Sequence, residues 1–293
     1  MNYADRLDFY LGANFIAEKF DNIDFEKMRG IKTVNDNKKY GAVFKALLRK
    51  SNNHRKKFKI VFGDISKKQN AITLCKNRCA ENSDSVILRC LNFERHWSKY
   101  YNRPADIPFR NKQKKVFWRG ASSGNQDRTG NRFKLVTRWH NKDKSICVGF
   151  SKLVEEKRKI HRLNKYVMGE CNISSFLKYQ YILSVEGNDK DSGLQWKLNS
   201  NSVVLMAKPR VTTWLMETTL IPNVHYVLLA DDFSDLKKKL IWCNKNQEKC
   251  LKIIQNANNF MKQFANKKRE EKLEYMVLDK YFNILAQQLI INK

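Results

Sequence analysis

Residues 181–243 read YILSVEGNDKDSGLQWKLNSNSVVLMAKPRVTTWLMETTLIPNVHYVLLADDFSDLKKKLIWC, and this stretch decides the fold class. YILSVEG (181–187), SVVLMA (202–207) and HYVLLA (225–230) are short β-rich runs, each bounded by turn-forming residues. Between them, Ser192–Leu198 and the surroundings of Trp214–Thr218 carry helical patterning. SDLKKKLIWC opens a further helix, with Ser234 placed to cap it. Strands alternating with helices imply an α/β fold: a parallel sheet with right-handed crossovers.

Upstream, FKIVFGD (58–64), SVILRC (85–90) and VFW (116–118) are further strand candidates. A helix is expected to begin near Asn131, with Phe133, Val136 and Trp139 at core spacing. From Gln247 onward the chain reads as helix, and Ile253, Ala257, Phe260 and Phe264 form one apolar stripe. In open α/β sheets, ligands bind beyond the carboxyl ends of the strands. The positions to watch are therefore Asp64, Arg119–Gly120, Glu186–Asn188 and Asp231–Asp232.

Two strand–loop–helix junctions carry candidate chemistry. FWRGASSGNQDRTGNRF (117–133) combines a Gly-rich loop with Arg119, Arg128 and Arg132 and a helix start. Glycines let backbone N–H groups approach a phosphate, a helix N-terminus adds positive potential, and arginine forks neutralise a diphosphate. The alternative is an ordinary basic loop, and the pattern is not that of a P-loop. VEGNDKDSGLQWK (185–197) is the second junction. Its Asp189-Lys190-Asp191 matches a metal-holding D-x-D string, but Lys190 opposes cation binding, so the expectation is a solvated turn. Glu186, Asn188 and the N–H groups near Ser192 could instead hold sugar or ribose hydroxyls. Asp64 ends a buried-type strand, where a carboxylate can act as general base; a plain turn aspartate is the alternative.

The charge bounds the partners. Against 29 Asp+Glu stand 57 Lys+Arg, a formal net charge of +28, which attracts nucleic acid, anionic membrane or a phosphate-rich substrate. A basic cluster at residues 38–59 surrounds YGAVFKALLRK, which reads as a basic amphipathic helix able to meet solvent, membrane or glycolipid. The hydrophobic fraction of 42% argues against a disordered chain. The seven cysteines include no CxxC pair and read as reduced, mostly buried thiols. The five histidines show no metal-ligand spacing. No apolar run is long enough to span a bilayer, and MNYADRLDFYLGANF does not look like a signal peptide. The expectation is a cytoplasmic protein.

In order along residues 58–285, FWRGASSG…DR…NRFKLV, KYQYILSVEGNDKDSGLQWKLNSNSVVLM, WLMETTLIPNVHY and DDFSDL resemble glycosyltransferase family 90. That family includes eukaryotic protein O-glucosyltransferases and fungal capsule-associated xylosyltransferases. EGND, SNSVVLM and LIPNVHY are closer to its bacterial branch, the lipopolysaccharide core glycosyltransferases.

The resemblance implies a GT-B fold, two Rossmann-like domains facing across a cleft. The boundaries expected are 1–110 for an acceptor-side domain, 111–265 for a donor-binding domain, and 266–293 for a C-terminal helix packing back on the first. It implies inverting transfer of a hexose, glucose or galactose, from a UDP-sugar to the lipopolysaccharide core, with no cofactor and no metal. The enzyme would be peripheral on the anionic inner face of the cytoplasmic membrane, with no nucleic-acid partner. A basic nucleic-acid-binding protein is the rival from another class; it predicts exposed aromatics interleaved with basic residues, and the aromatics here fall at core spacing.

Carried over residue by residue, the resemblance makes Asp64 the catalytic base. Arg132, with Arg128 beside it, becomes the arginine opening the helix after the RG loop. Arg119, Gly120, Ala121, Ser122, Glu186, Gly187, Asn188, Asp189, Ser192 and Lys197 would line the donor site. An arginine expected near Gly193 for the diphosphate is missing, and Lys190 or Lys197 is the substitute the resemblance leaves.

Overall fold

The computed structural model describes residues 2–16, 28–35, 40–65, 69–80, 84–124, 131–158 and 160–291. The strands in chain order are β1 (Lys59–Ile60), β2 (Thr73–Cys75), β3 (Asn77–Cys79), β4 (Val86–Ile87), β5 (Gln113–Gly120), β6 (Ile146–Phe150), β7 (Tyr179–Leu183), β8 (Val203–Met206), β9 (Val211–Thr213) and β10 (Val227–Leu228). The α-helices are α1 (Tyr3–Leu11), α2 (Ala13–Ile16), α3 (Gly41–Lys50), α4 (Ser98–Tyr101), α5 (Arg132–Trp139), α6 (Glu155–Arg158), α7 (Ile173–Leu177), α8 (Leu194–Leu198), α9 (Leu236–Lys245), α10 (Gln247–Lys262) and α11 (Lys267–Ile291). The chain divides into two compact units: Met1–Phe93 with Arg210–Thr218 and Asn266–Lys293, and Glu94–Pro209 with Thr219–Ala265.

The second unit is built on a five-stranded parallel sheet in the order β10-β8-β7-β5-β6. Its strands bury both faces, as crossover helices require. On one face Val116, Trp118, Val148, Phe150, Tyr181, Leu183, Val203 and Leu205 pack against Phe133, Val136, Leu236, Leu240 and Ile253. On the other, Phe117 and Ile182 meet Phe176, Leu177 and Trp196. The order has a physical consequence. From β5 the chain moves to β6 on one side, then returns to place β7 on the other, so the connections diverge between β5 and β7. That is the switch point of the sheet, where a crevice opens beyond the carboxyl ends.

The first unit holds a three-stranded parallel sheet, β1-β2-β4, and an antiparallel ribbon of β3 and β9. Its pieces come from remote parts of the chain, and α11 ties them together. Tyr281 of that helix accepts the Lys59 N–H at 3.3 Å, donates to the Ile72 carbonyl at 2.9 Å, and stacks on Phe15. One turn past its start, Glu270 takes both Arg6 terminal nitrogens at 2.7 Å and the Trp214 indole N–H at 2.6 Å. Tyr10 lies flat on Trp214, ring centres 3.7 Å apart, and bonds both Arg6 and the Trp214 carbonyl. All four side chains are buried.

Two expectations change here, and a third, the amphipathic α3, takes a definite orientation. Trp214–Thr218 is not an α-helix but a turn leading into one 3-10 turn at Glu217–Thr219: Met216 takes the left-handed conformation (φ 62°), and the Glu217 carboxylate accepts the Thr213 N–H at 2.7 Å and its hydroxyl at 2.9 Å. A side chain that bonds the backbone four residues back competes with the helical ladder. Ser234 does not cap α9: Asp235 occupies that position, makes no side-chain capping bond, and its carboxylate accepts the Ala230 N–H instead. The apolar side of α3 faces inward, with Phe44, Leu47 and Leu48 buried and Phe44 edge-on to Phe58. Its exposed side carries Arg49 and Lys50 together with Ala42, Val43 and Ala46.

Candidate active site

The two junctions singled out in the sequence meet at the switch point of the second unit. At the end of β5, the loop from Ala121 turns through Gly124, whose φ of +105° suits glycine. A Cβ there would also lie 3.1 Å from the Gly187 carbonyl oxygen, so the two loops pass in backbone contact. The Gly124 N–H donates to the Asn188 side chain at 2.9 Å.

Arg132 fastens the same two loops. Asn131 caps α5, accepting the Lys134 N–H at 2.8 Å, and so sets Arg132 as the first helical residue. Its guanidinium donates to the Ala121 carbonyl at 2.9 Å and the Ser123 hydroxyl at 2.7 Å. On its other side it reaches the Val185 carbonyl at 3.3 and 3.4 Å. The fork lies over the Trp118 ring and against Gly187. Burial pushes its pKa below the ordinary arginine value, while Asp191 and Asp189 pull the other way. Arg128 lies outside the described residues.

The Asp189-Lys190-Asp191 string is not a solvated turn; all three residues are buried. The Asp191 carboxylate accepts from the Lys197 ammonium at 2.5 Å, the Ser184 hydroxyl at 2.9 Å and the Gly193 N–H at 2.9 Å. Burial opposes its ionisation, yet Lys197 and these donors hold the carboxyl below the usual aspartate range. Lys197 also donates to the Leu183 carbonyl at 3.0 Å. This pair braces the base of the loop from inside.

Arg119 points away from the loops. Successive residues of a strand face opposite sides, so Arg119 shares the Phe117 face while Trp118 faces Arg132. Its guanidinium lies 4.8 Å from the centre of the Phe117 ring and donates to the Trp118 and Cys147 carbonyls. Ser122 is buried; its N–H donates to the Lys152 carbonyl and its hydroxyl accepts the Val154 N–H. Around the Gly187–Asn188 contact, Glu186 and Ser192 are partly buried.

Asp64, in the first unit, follows β1 on a loop beyond the carboxyl end of that strand. Its carboxylate pairs with Lys76, whose own side chain is fully buried. Asn77 pins the next residue from both sides, donating to the Ile65 carbonyl at 2.9 Å and accepting the Ile65 N–H at 3.2 Å. The carboxylate is thereby held at the edge of a parallel sheet, with part of its surface open.

A sequence profile described as Glycosyl transferase family 90 matches residues 92–293, more than half of the chain. The chain belongs to glycosyltransferase family 90. It is 35% identical over 234 residues to the O-glucosyltransferase LpsA of Dichelobacter nodosus, covering 79% of this chain and 69% of that protein. It is also 33% identical over 105 residues to the uncharacterized protein 179R of Invertebrate iridescent virus 6, covering 34% of this chain and 9% of that protein. Among solved structures, the crystal structure of TarM is similar with a TM-score of 0.40 and 13% identity, over 63% of this chain and 37% of that one. A sucrose-phosphate synthase from Thermosynechococcus elongatus gives 0.38 and 13%, over 73% and 60%.

For this family 90 glycosyltransferase, the structure brings Ala121, Ser122, Arg132, Gly187 and Asn188 together at the switch point. It directs Arg119 to the far face and Lys197 inward. Sequence reasoning missed Lys76 and Asn77, which set the Asp64 loop, and Lys157, whose ammonium reaches the Ser122 and Gly124 carbonyls. Nothing in their spacing signals these roles, because each acts on a loop that is remote or precedes it by a turn. Among the described residues, no helix is long and apolar enough to cross a membrane.

Proposed function

We propose that this glycosyltransferase transfers a hexose, glucose in the first instance, from a UDP-sugar to a sugar of the lipopolysaccharide core, with inversion and without a metal ion. The observation that carries the donor reading is the joining of the Ala121–Gly124 and Val185–Asn188 loops by Arg132 at the switch point. Loops in that place, with backbone approaching backbone and a guanidinium in between, suit a nucleoside diphosphate. Glucose is supported by the name of the Dichelobacter relative, an O-glucosyltransferase, and the lipopolysaccharide acceptor by the likeness of EGND, SNSVVLM and LIPNVHY to the bacterial branch of the family. The net charge of +28 favours a phosphate-bearing glycolipid at an anionic membrane surface, on its cytoplasmic face.

In this reading Asp64 removes the proton from an acceptor hydroxyl as that oxygen attacks the anomeric carbon. The C–O bond to UDP breaks on the opposite face, and the leaving diphosphate carries away the electron pair. A single displacement inverts the centre. Cationic and N–H donors on the diphosphate stabilise charge that grows in the transition state, which is where binding accelerates the reaction. The metal-free reading is supported by the Asp191 carboxylate, which a D-x-D site would offer and which is instead committed to Lys197, Ser184 and Gly193.

The test is UDP release from a panel of UDP-sugars with truncated core lipopolysaccharide as acceptor, in chelator, for wild type and Asp64→Asn. Acceptor-dependent release with UDP-glucose, reduced on the order of 10²–10⁴-fold in the variant, is expected. No turnover with any donor, together with tight salt-sensitive binding of nucleic acid, would overturn the reading.

A further inference from the structure

The segment after β6 is laced onto the loop after β5. The Ser151 N–H donates to the Gly120 carbonyl at 2.9 Å, the Ser122 N–H to the Lys152 carbonyl at 3.0 Å, and the Val154 N–H to the Ser122 hydroxyl at 2.9 Å. These bonds deliver α6 to the loop after β5, at the switch point of the sheet. From it the Lys157 ammonium reaches the Ser122 carbonyl at 3.2 Å and the Gly124 carbonyl at 3.1 Å, and sits 4.2 Å from the centre of the Phe133 ring in the first turn of α5.

An ammonium has three N–H donors, and two carbonyls take two of them. Among the described residues no carboxylate forms an ion pair with Lys157. Partial burial pushes its pKa below the ordinary lysine range, with Glu156 the one opposing charge. The cation is therefore short of compensation where the two candidate loops converge. Three other cations of this edge differ. Arg119 is bonded on the far face, Lys197 is paired inside with Asp191, and Arg132 is committed to carbonyls and a hydroxyl of both loops.

We propose that Lys157 is the cation that binds the diphosphate of the nucleotide donor, with Arg132 acting mainly to hold the loops in place. This rests on the UDP-sugar reading and names the group that serves it. The site takes a nucleoside diphosphate: the Ser122–Gly124 loop flanks the phosphates and Lys157 supplies the charge. Because the ammonium already lies on that loop, no rearrangement of α6 is needed, and its third N–H meets a phosphate oxygen.

The test is calorimetric titration of the full chain with UDP, UMP and uridine, for wild type, Lys157→Gln and Lys157→Arg, with thermal melts as a folding control. A charge-assisted hydrogen bond lost to a phosphate corresponds to roughly tenfold or more in affinity. Lys157→Gln should therefore weaken UDP about tenfold or more and leave uridine unchanged, with a shallower salt dependence, and Lys157→Arg should recover most of the loss. Equal weakening of UDP and uridine would mean a structural role and overturn the assignment. Unchanged UDP binding in Lys157→Gln would overturn it alone, leaving the donor reading intact. A wild type that binds none of the three at millimolar concentration would overturn the UDP-sugar reading and this assignment with it.

Discussion

The two units solve the same problem, fixing a loop at the carboxyl edge of a parallel sheet, with different materials. In the second unit the loops come from strand–loop–helix motifs of a five-stranded sheet and fasten one another through Arg132, Asn188 and Lys157. In the first unit the sheet has three short strands, and the Asp64 loop is held by Lys76 and Asn77 from the adjoining strand region. That unit is closed by a buried charge cluster joining residues from three remote parts of the chain. A local motif can be ordered by its own loops. An assembly of distant pieces needs long-range polar anchors that fix which piece meets which.

The largest expected effect breaks the first unit's anchor. Glu270→Ala leaves the Arg6 guanidinium buried without its carboxylate and strands the Trp214 indole N–H. Loss of one partner of a buried pair costs about 3–5 kcal/mol. Denaturant unfolding followed by exchange should show the first unit opening before the second.

In the second unit, Asp191→Asn leaves Lys197 buried without an anion and should cost somewhat less, about 3 kcal/mol, because the Leu183 carbonyl still accepts from it. The pH dependence follows from the sign of the shift. The Asp191 carboxyl lies below its unfolded value of about 3.9. Its stabilisation is present above that value and fades as pH falls through the lower folded one. Acid unfolding monitored below about pH 4 should be flatter in Asp191→Asn than in wild type.

Gly124→Ala sharpens the comparison, because it touches only the contact between loops. A side chain at φ +105° and 3.1 Å from the Gly187 oxygen should cost about 1–3 kcal/mol. UDP affinity should fall while Asp191 and the sheet stay as protected as in wild type. The smallest effect is expected at Asp143, outside either loop. Hydrogen bonds from Lys237 and Ser145 hold its carboxyl at about 2, but the pair is only partly buried. Asp143→Asn should change stability by about 0.5 kcal/mol and leave nucleotide binding alone.

The contrast between the units also governs what the sequence disclosed. Apolar runs with turn residues at their ends, such as those at 116–118, 181–187, 202–207 and 225–230, correspond to β5, β7, β8 and β10. Asn131 before a helical pattern marked α5. β6 was not read, because ICVGF is short, comes after a charged stretch and contains Gly149. Glycine is there since a Cβ would press within 2.8 Å of Met168 and 3.0 Å of the Tyr166 carbonyl. β2 was hidden because it is only three residues long, TLC, and is followed at once by the polar run Lys76-Asn77-Arg78.

At the candidate site, the loops at 120–124 and 185–188 were legible as motifs, and Arg132 as their arginine. The burial of Asp189–Asp191 was not, because it depends on Lys197 reaching back from α8. Neither was Lys157, since its relation to Ser122 exists only after β6 has paired with β5. Side-chain type and spacing reveal groups that act on their own segment; they are silent about groups that act across one.

The most direct test of the account is amide hydrogen exchange of the full chain with and without UDP. Added UDP should slow exchange chiefly in residues 119–124 and 185–193, the loops at the β5/β7 switch point. Protection confined to other segments, or none at saturating UDP, would contradict the placement of the donor site.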